Sequence, residues 1–370
     1  MRKRGAGVAT TLWVRTPSAR YPVWIGNGLL AGFGTRLKRL RPRDNRVFVV
    51  SSPRVWNFWG RALERSLGRA GLRCQTLLMD DREASKRLAT VERLADELLR
   101  RGADRSALLV SLGGGVVGDV TGFLAASYMR GVDYVQIPTT LVAQADSSVG
   151  GKTGVNLRDA KNLLGAFHHP RAVLADPRTL RTLPPRDFRA GLYEVIKCAV
   201  IGDARLFRFL ENKLPAVLAR QPRALAYAIE SAIRLKAAIV AEDEREAGRR
   251  RLLNFGHTLA HAFEVAAHYR LRHGEAVGWG MLAASRLAER RGLLRRKDAL
   301  RIVQLVRALG KIPSLPRVPP ARIYAHLFAD KKKRGRELRF VLPRGIGHAQ
   351  VVSGIPRADI LAVLRELVPR

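Results

Sequence analysis

Four of the chain's eight histidines, His257, His261, His268 and His273, fall within residues 254–275, NFGHTLAHAFEVAAHYRLRHGE. Neutral imidazole is the commonest protein ligand for metals, and histidine titrates near neutrality. His257 and His261 are four residues apart, so on a helix they share one face. His273 follows His261 by twelve residues. That is too far along the chain for the same face, so it must return on a second element. Two histidines from two helices plus a carboxylate can hold a catalytic zinc with one coordination position open. The same spacing also describes two core or surface histidines. Glu194, in the helical stretch GLYEVIKCAV, is a candidate carboxylate, and Lys197 lies three residues on, facing the same way. On spacing alone the two equally describe a surface Glu–Lys pair.

A second group of residues suits anionic ligands. SLGGGVVGD (111–119) follows an apolar run and opens a helical one. Its glycines let backbone approach a ligand closely, and N–H groups at a helix start favour phosphate. It is not the G-x-G-x-x-G dinucleotide fingerprint, but it sits at the carboxyl end of an expected strand, where cofactors bind in α/β sheets. A tight strand-to-helix turn is the alternative. Pro138-Thr139-Thr140 ends the next expected strand. Asp146, Gly150-Gly151-Lys152 and Lys161-Asn162 then set charges among small residues, describing a loop that wraps a polar ligand, and Arg130 lies nearby. Several cations close in sequence suit a substrate carrying phosphate and carboxylate.

The elements expected to position these residues change character along the chain. Residues 46–51, 73–78, 107–112 and 133–137 read as strands, with helices over 55–70 and 85–101, so the first half is an α/β domain with a mainly parallel sheet. After Pro184-Pro185, helical periodicity runs through 188–201, 204–219, 224–242, 252–268, 273–291, 297–309 and 320–330, with a small hairpin from 339–342 and 349–352. The expected domains are residues 1–184 and 185–370, the second all-α.

Composition narrows the function. Cys74 and Cys198 cannot make a disulfide framework. No run approaches the ~20 apolar residues of a membrane span, and no apolar stretch after the basic start resembles a signal peptide. A cytoplasmic protein with no membrane partner is expected. The net charge of +36 suits nucleic acid, but the positive residues are dispersed, KKKRGR at 331–336 being the one compact run, so a cationic enzyme surface for anionic substrates is favoured. There are 13 lysines against 54 arginines. Because the two cations differ chemically, Lys86, Lys152, Lys161, Lys197, Lys236 and Lys331–Lys333 become candidates for function.

Taken together, GGGVVGDVTGFLAASYMRG, QIPTTLVAQADSSVGGKTGVN, KNLLGAFHHP, RAGLYEVIK and LNFGHTLAHAFE…HGEAV closely resemble the 3-dehydroquinate synthase family over about residues 25–367. The resemblance implies an N-terminal NAD-binding α/β domain, an all-α C-terminal domain, an active site in the cleft between them and a homodimer. It implies that 3-deoxy-D-arabino-heptulosonate 7-phosphate becomes 3-dehydroquinate and phosphate, with NAD used catalytically and one divalent metal, zinc or cobalt. Carried over by motif, the metal ligands are Glu194, His257 and His273. The NAD site is Asp81, Glu83, Lys86, Gly114, Gly115, Val116, Val117, Gly118, Asp119, Thr139, Thr140, Lys152, Lys161, Thr179, Leu180, Arg181 and Thr182. Substrate contacts are Arg130, Asp146, Lys152, Asn162, Lys197, Lys236, Arg250, Asn254, His261 and one of Lys331 or Lys332.

The sequence departs from the family pattern at Ala260, where glycine is usual, at Tyr193, where a small residue is usual beside Glu194, and at Ser51-Ser52-Pro53, where an acid or amide often follows the strand. Other sugar phosphate cyclases, which make cyclitols, are the nearest alternative. Asn162, Lys236, Arg250 and the DKK segment favour a substrate bearing a carboxylate. A metal-dependent polyol dehydrogenase, the further alternative, lacks the GGKTGVN and KN segments.

Overall fold

The computed structural model describes residues 9–40, 42, 45–158, 160–329 and 338–368. Its chain divides into two compact units, Met1–Pro184 with Leu225–Glu244, and Pro185–Ala224 with Arg245–Arg370.

The first unit is built on a seven-stranded sheet. In chain order it contains β1 (Thr10–Arg15), β2 (Arg20–Ile25), α1 (Phe33–Arg39), β3 (Arg46–Ser51), α2 (Pro53–Arg69), β4 (Arg73–Leu78), α3 (Leu88–Arg100), β5 (Leu108–Gly113), α4 (Gly115–Ser127) and β6 (Asp133–Pro138). Then come β7 (Lys152–Val155), β8 (Leu164–Phe167) and β9 (Ala172–Ala175). The sheet order is β1-β2-β9-β6-β5-β3-β4. Only the β1–β2 pair in it is antiparallel. Alternate side chains of a strand face opposite ways. Val47 and Val49 of β3 accordingly join a core with α1 and α2, while Phe48 and Val50 join one with α3 and α4. Burial on both faces explains why these strands read as continuous apolar runs.

Three sheet strands escaped the sequence pattern. β2 carries Pro22, which signals against a strand but lies just before Val23–Ile25, the stretch that pairs with β9, and β1 and β9 are short or mixed in polarity. The expected loop through Lys152 and Lys161 is also partly wrong, because β7 and β8 form an antiparallel hairpin there. Gly154 and Gly165 allow it. A Cβ on Gly154 would meet the Leu164 carbonyl oxygen at 2.5 Å, and one on Gly165 would meet that of Thr153 at 2.1 Å.

Beyond Pro184 follow α5 (Pro185–Gly202), α6 (Ala204–Leu218), α7 (Pro222–Glu242), α8 (His257–Ala266), α9 (His273–Arg290), α10 (Arg296–Ala308) and α11 (Pro320–Ala329). The hairpin β10 (Phe340–Gly345) and β11 (His348–Val352) and the helix α12 (Arg357–Leu367) complete the second unit. From Leu225 onward, α7 belongs to the first unit although it lies past Pro184. The expected helix over 252–268 starts only at His257, since residues 249–254 form a 3-10 turn and Gly256, at φ +80°, breaks the run. α5 is buried on every side between Ala190 and Ile201, as a core helix should be. Among the described residues no helix is long and apolar enough to cross a membrane.

Candidate metal centre and cofactor-binding turns

In the second unit, α5 carries Glu194, the start of α8 carries His257 and the start of α9 carries His273. Small residues let these helices meet. A Cβ on Gly274 would sit 1.9 Å from the Ala190 carbonyl oxygen of α5. One on Gly280 would sit equally close to the carbonyl oxygen of Gly256, the residue before His257. Backbone-to-backbone approach at both points draws α9 onto α5 and onto the start of α8.

The result is a Glu–His–His cluster whose ligand atoms all lie within 4.8 Å of one another. His257 Nε2 is 3.8 Å from Glu194 Oε1, and His273 Nε2 is 3.6 Å from the same oxygen. His257 turns its Nδ1 to the Phe255 carbonyl oxygen at 3.1 Å. His273 Nδ1 faces Glu264 Oε1 at 3.4 Å, and His261 Nδ1 faces Glu264 Oε2 at 3.1 Å. Burial pushes the pKa of His257 down to about 3 against the opposing charge of Glu194, with Lys197 and the neighbouring imidazoles adding to the fall. At neutral pH its ring is therefore uncharged, the form that ligates metal. Burial also pulls on His273, but the Glu264 hydrogen bond and the charges of Glu194 and Glu264 outweigh it and raise its pKa.

The Glu194–Lys197 pair is not at the surface. The two side chains are each 2% exposed, with Lys197 Nζ 2.6 Å from Glu194 Oε2. Arg250 is fully buried in the 3-10 turn before α8, and Asn254 donates to Glu246 at 2.7 Å. Tyr193 does not crowd the metal helix, because its ring lies over Gly278, where a Cβ would come within 2.8 Å of it. Ala260 is accommodated in the core at 0% exposure. Lys331 and Lys332 lie outside the described residues.

In the first unit, β3, β5 and β6 end side by side at Ser51, Gly113 and Pro138. The turn after β5 places Gly114 before the first residue of α4, close enough to Thr140 that a Cβ would meet its methyl at 2.9 Å. Gly115 faces the Ser147 hydroxyl, Val117 and Gly118 are buried, and Val116 packs at the rim of the core. Thr139 N donates to the Gly113 carbonyl at 2.8 Å, tying the two strand ends together.

Lys86 joins three of the candidate segments. It is 4% exposed, donates to Asp119 Oδ2 at 2.5 Å, and makes a short bond to Asn162 Oδ1. Burial raises the Asp119 carboxyl above its usual range, while Lys86 pulls it back. Glu83 accepts from Asn156, whose own oxygen accepts from the Asn162 backbone. Asp81 accepts from Ser52 at 2.8 Å, so the serine that replaces the usual acid or amide hydrogen-bonds to a neighbouring acid and also caps α2. Lys236, 6% exposed on α7, reaches Asp146 Oδ1 at 3.0 Å and its carbonyl at 2.6 Å. Lys152, Lys161 and Arg130 are exposed, and Met129 and Arg130 both take left-handed φ values, +50° and +66°.

The 3-10 turn Pro177–Thr182 holds Thr179, Leu180, Arg181 and Thr182. Gln144, wholly buried, donates to Pro138 O, Asp176 O and Thr179 Oγ1 at 2.9–3.0 Å, fastening that turn beneath the end of β6. Thr182 accepts from the Trp59 indole at 3.0 Å. Sequence reasoning missed Gln144, which no motif marks as chemical, and Glu264. The second was legible as the third residue after His261 and the seventh after His257, on their helical face.

The chain is similar to known proteins along most of its length. The family model for the 3-dehydroquinate synthase N-terminal region matches residues 76–190, and that for its C-terminal region matches 191–333. A 3-dehydroquinate synthase of Solibacter usitatus is 45% identical over 95% of this chain and 98% of its own length. The 2-epi-5-epi-valiolone synthase of Streptomyces hygroscopicus subsp. jinggangensis, solved with NAD+ and Zn2+ bound, has a TM-score of 0.85. It is 34% identical, with 94% of this chain and 96% of that one covered. A 2-deoxy-scyllo-inosose synthase solved with carbaglucose-6-phosphate, NAD+ and Co2+ has a TM-score of 0.87 at 29% identity, covering 97% of this chain and all of that one. With the two family models matching adjoining stretches that together span residues 76–333, the chain belongs to the 3-dehydroquinate synthase family.

Proposed function

We propose that this protein converts 3-deoxy-D-arabino-heptulosonate 7-phosphate to 3-dehydroquinate and phosphate, in the cytoplasm and as a homodimer. The observation that carries the reading is the convergence of Glu194, His257 and His273 from three helices. Two imidazoles and one carboxylate suit zinc with a position left open, and cobalt tolerates the same donors. The neutrality of His257 and the acceptors behind both histidines fit that role. NAD would lie along Gly114–Asp119 at the start of α4, with Asp81, Glu83, Lys86, Thr139, Thr140, Lys152, Lys161 and residues 179–182 around it. When bound, the two groups supply reversible hydride transfer and polarisation of substrate oxygens, in a reaction that is redox-neutral overall.

The chain's own residues bind and orient. Arg130, Lys152, Lys197, Lys236 and Arg250 present cations to a phosphate and a carboxylate, with Asn162 and Asn254 as neutral partners and Asp146 holding Lys236 in place. One of Lys331 or Lys332 joins them. Lys197 and Arg250 are buried, so their charges act with little screening from water. His261, whose side chain is 64% exposed, has its Nδ1 engaged by Glu264 and holds or moves a proton at Nε2.

Purified protein given the heptulosonate phosphate, NAD and zinc should release inorganic phosphate with no net rise in NADH absorbance. NADH accumulating in step with product would point to a dehydrogenase. The cyclitol-forming reading is favoured by the 34% identity to a valiolone synthase. A carboxylate-free sugar phosphate that cyclises as fast as the heptulosonate phosphate would select it instead.

A further inference from the structure

We infer that Glu264 is a positioning residue that fixes the orientation and tautomer of two imidazoles at once, those of His261 and His273. The inference rests on the metal centre proposed above. It links a metal ligand to the histidine that faces substrate through a single carboxylate.

Glu264 lies on α8 at the spacing that turns it to the side of His257 and His261. Its side chain is 6% exposed, so its oxygens are directed by protein rather than by solvent. Oε2 faces His261 Nδ1 at 3.1 Å and Oε1 faces His273 Nδ1 at 3.4 Å. The three rings form one group, with centroids 5.2 Å apart for His257 and His273 and 6.3 Å apart for His261 and His273.

An ionised carboxylate only accepts hydrogen bonds. Facing two Nδ1 atoms, it requires both to carry hydrogen, which in the neutral rings that bind metal leaves both Nε2 atoms with lone pairs. The carbonyl oxygen of Phe255 imposes the same choice on His257. Three acceptors thus set three imidazoles alike. The Nε2 atoms of His257 and His273 are the ones near Glu194, as a ligand set requires. Glutamine cannot replace the glutamate in this role. Its oxygen can serve one ring, but its amide nitrogen then confronts an N–H on the other. One imidazole must then turn over or change tautomer, and for His273 either change withdraws a metal ligand.

The test uses Glu264→Gln in the full-length protein, with zinc affinity measured by chelator competition. Outer partners of ligating histidines are typically worth 10- to 100-fold in metal affinity, and a loss in that range is expected. The thermal midpoint of the metal-free variant should match that of the metal-free parent, and the visible ligand-field bands of the cobalt-loaded protein should shift. Parental zinc affinity together with unchanged cobalt bands would overturn the inference. Should E264Q fail to fold, Glu264→Asp withdraws the charge by one methylene and serves in its place. Weaker zinc binding then supports the inference and parental affinity overturns it. His273→Ala runs in parallel. If it too binds zinc like the parent, the metal centre itself is misplaced, whereas zinc loss in H273A with none in E264Q removes only the role of Glu264.

Discussion

Gly274→Ala should damage metal binding more than it damages the fold. Gly274 follows His273 in the first turn of α9, against α5, which carries Glu194. An alanine Cβ would lie 1.9 Å from the Ala190 carbonyl oxygen and 2.6 Å from its carbon. Ordinary contact begins near 3.4 Å, so about 1.5 Å must open between two stretches of close-packed backbone. No flexible side chain can absorb that, so one helix must move. Overpacking of this kind costs about 1–3 kcal/mol, which lowers the melting point by roughly 2–12 °C at about 2–4 °C per kcal/mol. The metal cluster is far less tolerant, because coordination distances are held to about 0.2 Å. His273 Nε2 and Glu194 Oε1, now 3.6 Å apart, would separate by several times that margin. Zinc content after dialysis against a weak chelator and the melting point of the metal-free protein are the two readouts. Gly68→Ala is the control, since nothing lies within 4 Å of its Cβ in the exposed face of α2, and it should gain about 0.5–1 kcal/mol. A G274A protein that retains zinc as the parent does would refute this account of how the ligands are brought together.

Other consequences can be checked separately. Lys197→Arg must fit a larger cation into a 2%-exposed site and so loses about 1–3 kcal/mol; zinc should stay bound while kcat/KM falls at least roughly tenfold, since a planar guanidinium does not reproduce a point charge. Lys86→Met takes the ammonium from Asp119 and Asn162 and should cost about 3 kcal/mol, the low end for a buried pair because Asp119 remains a quarter exposed; an unchanged melting point together with unchanged NAD affinity would count against the Lys86 linkage. Cys74, half-buried, has its thiol pushed up to about 11 by burial, against the Thr76 hydrogen bond. Below the pKa the thiolate fraction falls about tenfold per pH unit, so at pH 8 its population is roughly two orders of magnitude below that of a free cysteine, and iodoacetamide labelling should be slowed to match, recovering as pH climbs towards 11. Stripping metal with a chelator should abolish phosphate release, zinc or cobalt should restore it, and activity that survives full removal would exclude the metal reading.

The parts of the fold that were legible in the sequence are those with unmixed environments. β3, β5 and β6 are buried on both faces and read as apolar runs; β2 is broken by Pro22, and the β7–β8 hairpin depends on Gly154 and Gly165 passing closer than side chains allow, which no periodicity encodes. In the same way the sequence displays His257, His261 and His273 but not what brings them to Glu194, because the contacts at Gly274 and Gly280 are defined by atoms that glycine lacks. The lysine argument shows where composition reaches its limit. Among the described residues, the buried lysines are Lys86, Lys197 and Lys236, each beside a carboxylate, whereas Lys152 and Lys161 are exposed. A compact ammonium fits a tight buried pair that a forked guanidinium would overfill, so packing alone is a sufficient reason to keep lysine at those three positions in an arginine-rich chain. At the two exposed positions packing gives no such reason, and the match of their segments to the family pattern is what points to a ligand there. Substitution by arginine therefore separates the causes. At Lys86 the fold should suffer, whereas at Lys152 and Lys161 the melting point should hold while NAD or substrate affinity falls.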